Sequence, residues 1–281
     1  MYNFANGKES RVFVLKQYHI LLFSALLLCG ACQLRLKPYG QEDQKMLVEV
    51  QRYDRLESRY LTTGDFSALQ QMNTTYPMET RTLIEDVLEL GEVNEPYINS
   101  KFLNFYQDSL LQVLISDTEA EYADMDDVSK ELSEVFMKLQ KLLPGIKIPT
   151  VYAQIGALNQ SVVVGDKSIG ISLDKYLGEN YPLYKRYYSG QQRKSMRRDH
   201  IVPDCVVFYL LSVYPMEDHG ADTQAEKDLH TAKIMWTANK ALGRQFFKTN
   251  YVSMVDRFMR KHKGTSVAAL LKLDDYSKLE K

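Results

Sequence analysis

The spacing of apolar residues changes period along this chain, and that change sets what the chain can fold into. Over residues 127–143, Val128, Leu132, Val135, Phe136, Leu139, Leu142 and Leu143 recur at the spacing of one helical face, and Pro144-Gly145 ends the run. Asp126 or Asp127 is placed to cap its start. From Pro149 to Asp174 the spacing becomes that of strands, at 151–155, 161–164 and 168–173, punctuated by Asn159 and a Gly165-Asp166 turn. Helical spacing returns at about 204–213, 222–247 and 251–272. It also marks about 79–90 and 99–115, and Asp54 opens a further helical stretch. Met46, Val48 and Val50 alternate within residues 46–53 as one face of a half-buried strand would. The predicted fold class is α+β, a mostly helical domain around a small antiparallel or mixed sheet.

The N-terminus gives the chain an address. Lys8, Arg11 and Lys16 precede an apolar run at residues 20–28, which is too short to cross a hydrocarbon core of ~30 Å. Small Gly30 and Ala31 then lead to Cys32. This is the layout of a cleaved lipoprotein signal over residues 1–31, after which Cys32 carries the lipid. Two or three acyl chains anchor far more firmly than one. Residues 32–45 contain Pro38 and Gly40, hold no sustained period and read as a tether, which leaves 46–281 as one globular domain. The expected location is the cell envelope, membrane-bound through the lipid anchor and facing the periplasm. Gln33-Leu34-Arg35 lacks the acidic residues that accompany export to the surface.

Nineteen Tyr and eleven Phe, with 45% hydrophobic residues, provide the aromatics that a packed core needs. A net charge of -1 supplies no field toward nucleic acid, and none is expected as a partner. Cys205 sits among Val206, Val207, Phe208 and Tyr209 and reads as a small buried core residue.

Candidate chemistry is sparse. His200 and Asp204 are four apart, but Pro203 favours the first helical turn and places His200 ahead of the helix. Asp218, His219, Asp222 and His230 are close in sequence and read as solvated polar groups rather than metal ligands. The acidic run Asp117, Glu119, Glu121, Asp124, Asp126 and Asp127 lacks the glycine a calcium loop requires. Residues 165–170 form a hairpin turn rather than a phosphate loop. No metal and no cofactor are expected. Lys185, Arg186, Arg193, Lys194, Arg197 and Arg198 interleave with Tyr184, Tyr187 and Tyr188. They form a candidate binding patch for anionic lipid, wall polymer or an acidic protein surface.

Short signatures follow one another in a particular order: Val50-Gln51-Arg52-Tyr53-Asp54, Tyr76-Pro77, Phe105-Tyr106-Gln107-Asp108, Leu142-Leu143-Pro144 and Ile148-Pro149. After them come Gly170-Ile171-Ser172-Leu173-Asp174-Lys175-Tyr176-Leu177-Gly178 and Ile201-Val202-Pro203-Asp204. Over residues 46 to about 250 this succession resembles the GldB family of gliding-motility lipoproteins of Bacteroidetes. The resemblance implies an envelope role beside the gliding and type IX secretion machinery, and it marks Asp174, Tyr176, Gly178 and Asp204 as candidate site positions. Physically, Asp174 is placed to cap the following turn and Gly178 to admit a close backbone approach. Distantly similar families include predicted zinc metallopeptidases, in which a His-Glu-x-x-His helix follows the sheet. The helix after Pro203 has no such motif, so the resemblance implies a zincin-like scaffold without its metal, a pseudoenzyme. The expected function is a non-catalytic, lipid-anchored protein working through envelope protein contacts. The alternatives are a divergent hydrolase on that scaffold, or a module that binds cell wall or anionic lipid.

Overall fold

A computed structural model describes residues 47–217 and 223–279. They fall within the second of two compact units, Met46–Lys281. The signal, Cys32 and the tether lie outside the described residues.

The sheet forms around β2 (Thr150–Gln154), because its residues are apolar on both faces. Val151 and Ala153 join one buried cluster, whereas Tyr152 joins another. A strand covered on both sides belongs in the middle of a sheet. The strand order confirms this, with β1 (Val50–Gln51) beside β2, then β4 (Ser168–Ser172), then β3 (Val162–Val164) at the far edge. β2 runs parallel to both β1 and β4, while β3 and β4 form the antiparallel hairpin expected around Gly165-Asp166. The sheet is therefore mixed, and the parallel β1-to-β2 link is made by a long helical crossover.

That crossover contains α1 (Tyr53–Thr63), α2 (Phe66–Thr75) and α3 (Pro77–Arg81), the last continuing as a π-helix at Thr82–Val87. α4 (Ile98–Phe105), α5 (Ser109–Glu121) and α6 (Asp126–Leu142) complete it. α1 to α4 cover the Tyr152 face, with Tyr53, Leu61, Met72, Leu83 and Phe102 buried there. The opposite face is covered by α6, α9 (Ile201–Val213) and α10 (Gln224–Leu242). A third cluster packs α10 against α11 (Asn250–Lys261) and α12 (Val267–Leu271). Two single turns, α7 (Tyr184–Tyr187) and α8 (Gly190–Arg193), lie between the sheet and α9. Among the described residues no helix is long and apolar enough to cross a membrane.

Several boundaries depart from the sequence reading. The strand expected over 46–53 shrinks to Val50–Gln51. Its edge is covered by α6, where Ser133 Oγ accepts from the Val48 amide at 2.9 Å and Ser129 Oγ accepts from the Val50 amide at 3.2 Å. Hydroxyls thus occupy backbone groups that would otherwise template another strand. The helix expected over 99–115 is two, because Asp108 caps a fresh start by accepting from the Leu110 amide at 2.8 Å. The amide at the start of α6 is held by Asp124, not by the side chain of Asp126 or Asp127. The stretch over 251–272 splits, with Ser266 capping α12. Gly170 faces Tyr152 across the parallel pair, and a Cβ there would stand 2.6 Å from the ring. Only glycine lets that ring lie flat over β4.

Candidate functional site

Because β2 and β4 are parallel and paired Gln154 to Ser172, their carboxyl ends finish side by side. Ligands commonly bind at such ends. The loop leaving β2 here has two consecutive non-glycine residues in the left-handed region, Ala157 at φ 49° and Leu158 at φ 65°. Each such residue costs about 1–2 kcal/mol, so the surroundings must impose it. Asp174 does most of this, accepting from the Gly156 amide at 2.7 Å and the Leu158 amide at 2.6 Å. Glu57 of α1 accepts from the Ile155 amide at 2.8 Å, and the Tyr106 hydroxyl donates to the Ile155 carbonyl at 2.5 Å. The Leu158 carbonyl accepts from both Tyr188 Oη at 2.7 Å and Lys175 Nζ at 3.1 Å. Asn159 ties the far end to the Val87 carbonyl at 2.8 Å.

Burial shapes the electrostatics of this staple. Desolvation holds the Glu57 carboxyl well above the ordinary carboxylate range, and the nearby Asp174 and Asp54 add to it. Asp174 is also raised by burial, although its two amide donors oppose the shift. Tyr53 and Tyr106 are driven upward by the same desolvation and by Glu57. Glu57 Oε1, Ser58 Oγ and Gln154 Oε1 are buried with no hydrogen-bond partner. A protonated Glu57 supplies a donor where an ionised one would be a buried charge.

The second polar group lies beside the N-terminal turn of α9. Tyr176 donates to Asp204 Oδ2 at 3.0 Å, and Ser161 reaches the same tyrosine hydroxyl. Desolvation raises the Asp204 carboxyl to about 7, which leaves it able to exchange a proton near neutrality. The Tyr176 carbonyl accepts from Tyr122 Oη at 2.6 Å, and Tyr184 Oη donates to the Asp174 carbonyl. A pocket of about 200 Å³ opens here, lined by Ser161, Lys175, Tyr176, Tyr188, Gln192, Ser195, Met196 and Asp204. Next to it, Asp108, Leu110, Leu111, Ala157, Leu158, Asn159, Leu183, Tyr187 and Tyr188 line an open groove of about 480 Å³. Lys175 and the ring of Tyr188, 4.4 Å apart, border the pocket, and Tyr188 borders both spaces.

Of the positions marked by sequence, Asp174, Tyr176 and Asp204 meet around this region. Asp174 does not cap the turn it belongs to, Leu173–Lys175; its carboxylate caps the loop after β2 instead. Gly178 serves backbone geometry rather than close approach, with φ 105° and nothing within 4 Å of a Cβ built there. His200 stands ahead of α9 as expected, its ring 4.7 Å from that of Phe246. His230 is buried between the Tyr214 carbonyl and the Tyr276 hydroxyl. Asp218, His219 and Asp222 lie outside the described residues. Cys205 is buried and unpaired, and burial pushes its thiol upward.

The six cations of the candidate patch take different roles. Arg198 bonds Asp127 and the Glu121 and Asp124 carbonyls, Arg197 pairs with Asp199, and Arg193 donates to the Glu179 carbonyl. Lys185, Arg186 and Lys194 form no ion pair among the described residues. Glu57 was not singled out by sequence, since its partner Ile155 is distant along the chain; Tyr106 and Lys175 stood only within signatures and Tyr188 only beside the cations, with no role assigned. Among the described residues no group of three or more His, Cys, Asp or Glu is placed to hold a metal ion.

A helix-clad mixed sheet whose buried acids staple a strained loop beside an open groove defines a small-sheet α+β domain. Within that class the chain belongs to the gliding motility protein GldB family, whose model matches residues 35–246. No curated protein and no solved structure matches it.

Proposed function

We propose that this gliding-motility protein is a lipid-anchored envelope component, held by acylated Cys32 and facing the periplasm. It acts without catalysis, through contacts with a protein of the gliding or type IX secretion machinery. The carrying observation is the groove beside the strained loop. The acid that the resemblance marked as a candidate site position, Asp174, holds Ala157 and Leu158 in shape there, and Leu110 and Tyr187 remain 38% and 60% exposed. Exposed apolar side chains on a pre-formed surface favour a protein partner. Lys185 and Arg186 sit on the same turn as Tyr187, so the complementary segment carries apolar residues flanked by acids.

The test places a photo-crosslinking residue at Tyr187 in the native membrane, with the exposed Met137 of α6 as control. A protein adduct at 187 and none at 137 is expected; no adduct at 187 overturns the contact reading. Labelled fatty acid that is incorporated into wild type and lost in Cys32→Ser tests the anchor. Equal labelling in both refutes it.

A further inference from the structure

The pocket beside Asp204 is separate from the groove and is built differently. Its lining carries both an acid and a cation. The Asp204 carboxylate takes the Tyr176 hydroxyl on Oδ2, and no ion pair joins it to a cation among the described residues. In the same lining, Lys175 Nζ donates to the Leu158 carbonyl and to Tyr188 Oη at 2.9 Å. An ammonium has three donors, so one is left for a ligand. Gln192 uses its carbonyl oxygen to accept from the Ser189 amide, which leaves its NH2 without a partner among the described residues. Met196 supplies an apolar wall.

This arrangement suits a molecule that carries both charges. A lone anion would meet Asp204, and a lone amine would meet Lys175. A ligand with both groups gives each of these side chains a charge-assisted hydrogen bond, the strong kind. The space of about 200 Å³ has room for an amino-acid head. We infer that this pocket binds the zwitterionic end of an α-amino acid, its ammonium on Asp204 and its carboxylate on Lys175 and Gln192. Such an end is found on free amino acids and on diamino-acid residues of cell-wall peptides.

Calorimetric titration of the full chain in detergent tests the inference. The probes are alanine, lysine, diaminopimelate and a soluble muropeptide, with propionate and ethylamine as single-charge analogues. A saturable response is expected from at least one zwitterion, with both analogues weaker by about tenfold or more. Asp204→Asn, kept hydrogen-bond competent, should weaken the same ligand by about tenfold or more. Binding by free amino acids identifies a solute site, whereas binding by the muropeptide alone identifies a wall site. No response to any zwitterion at about 10 mM overturns the inference, as does equal affinity for alanine, propionate and ethylamine. The comparison of ligands decides the matter even if Asp204→Asn fails to fold.

Discussion

Glu57→Gln isolates the buried proton at the loop staple. In the folded chain Glu57 is fully buried, with one oxygen on the Ile155 amide and the other unpaired, and burial raises its carboxyl well above the ordinary range. The unfolded chain releases that proton near an ordinary value of about 4.3, whereas the folded chain keeps it. The native state therefore binds more protons as pH rises past this point. Unfolding free energy falls by about 1.4 kcal/mol per pH unit until the folded carboxyl ionises. Gln keeps an acceptor for the Ile155 amide and cannot ionise, so this contribution vanishes. Between about pH 4.5 and about pH 6.5, the variant should gain stability relative to wild type at up to about 1.4 kcal/mol per pH unit while the folded carboxyl keeps its proton. Urea unfolding of the full chain, followed by far-ultraviolet circular dichroism across that interval, measures it. Asp174 is raised in the same direction, but it is present in both proteins and cancels in the difference. A difference that stays flat with pH would refute a protonated Glu57.

Three further outcomes follow from the same geometry. Ala157→Gly should stabilise the protein by about 0.5–1 kcal/mol, because relief of the left-handed strain exceeds the added freedom of the unfolded chain; a lower melting temperature would deny the strain. Gly170→Ala forces a methyl to 2.6 Å from the Tyr152 ring and should cost about 1–3 kcal/mol in urea unfolding. An unchanged midpoint would mean that the ring moves freely. Tyr176→Phe removes the bond that lowers the Asp204 carboxyl, so its titration, read by carbon-13 carboxyl shifts, should move above about 7. A midpoint at or below that value contradicts the assignment of Tyr176 as the donor.

Long amphipathic elements were readable because each has one dry face. The helix expected over 127–143 is Asp126–Leu142, and the strands fall within 150–172 as the period-two pattern requires. The breaks were not readable where a side chain left the local pattern for a distant partner. Tyr106 interrupts the expected helix at 99–115 to reach the Ile155 carbonyl, and Asp108 restarts it. α2 escaped notice because its buried residues, Ala68, Leu69 and Met72, are few and its remaining face is polar. At the site, Asp174, Tyr176 and Asp204 could be marked because they lie in compact signatures. Glu57 could not, since a glutamate in a polar helix looks solvated until its partner 98 residues away is known. Ser129 and Ser133 look like interruptions of an apolar stripe and turn out to face the amides of Val50 in β1 and of Val48 just before it.

Those two serines also have a mechanical meaning. Every pull transmitted along the chain from its N-terminal side enters the described domain at β1. There it meets two hydroxyl-to-amide bonds, a two-residue parallel pairing with β2 and the side chains of Val48 and Val50, which are buried in the main cluster. Neutral hydrogen bonds of this kind contribute only about 0.5–1.5 kcal/mol each. β1 is thus where force from the chain end loads the domain, and its hold there comes from the burial of Val48 and Val50 as much as from these few bonds.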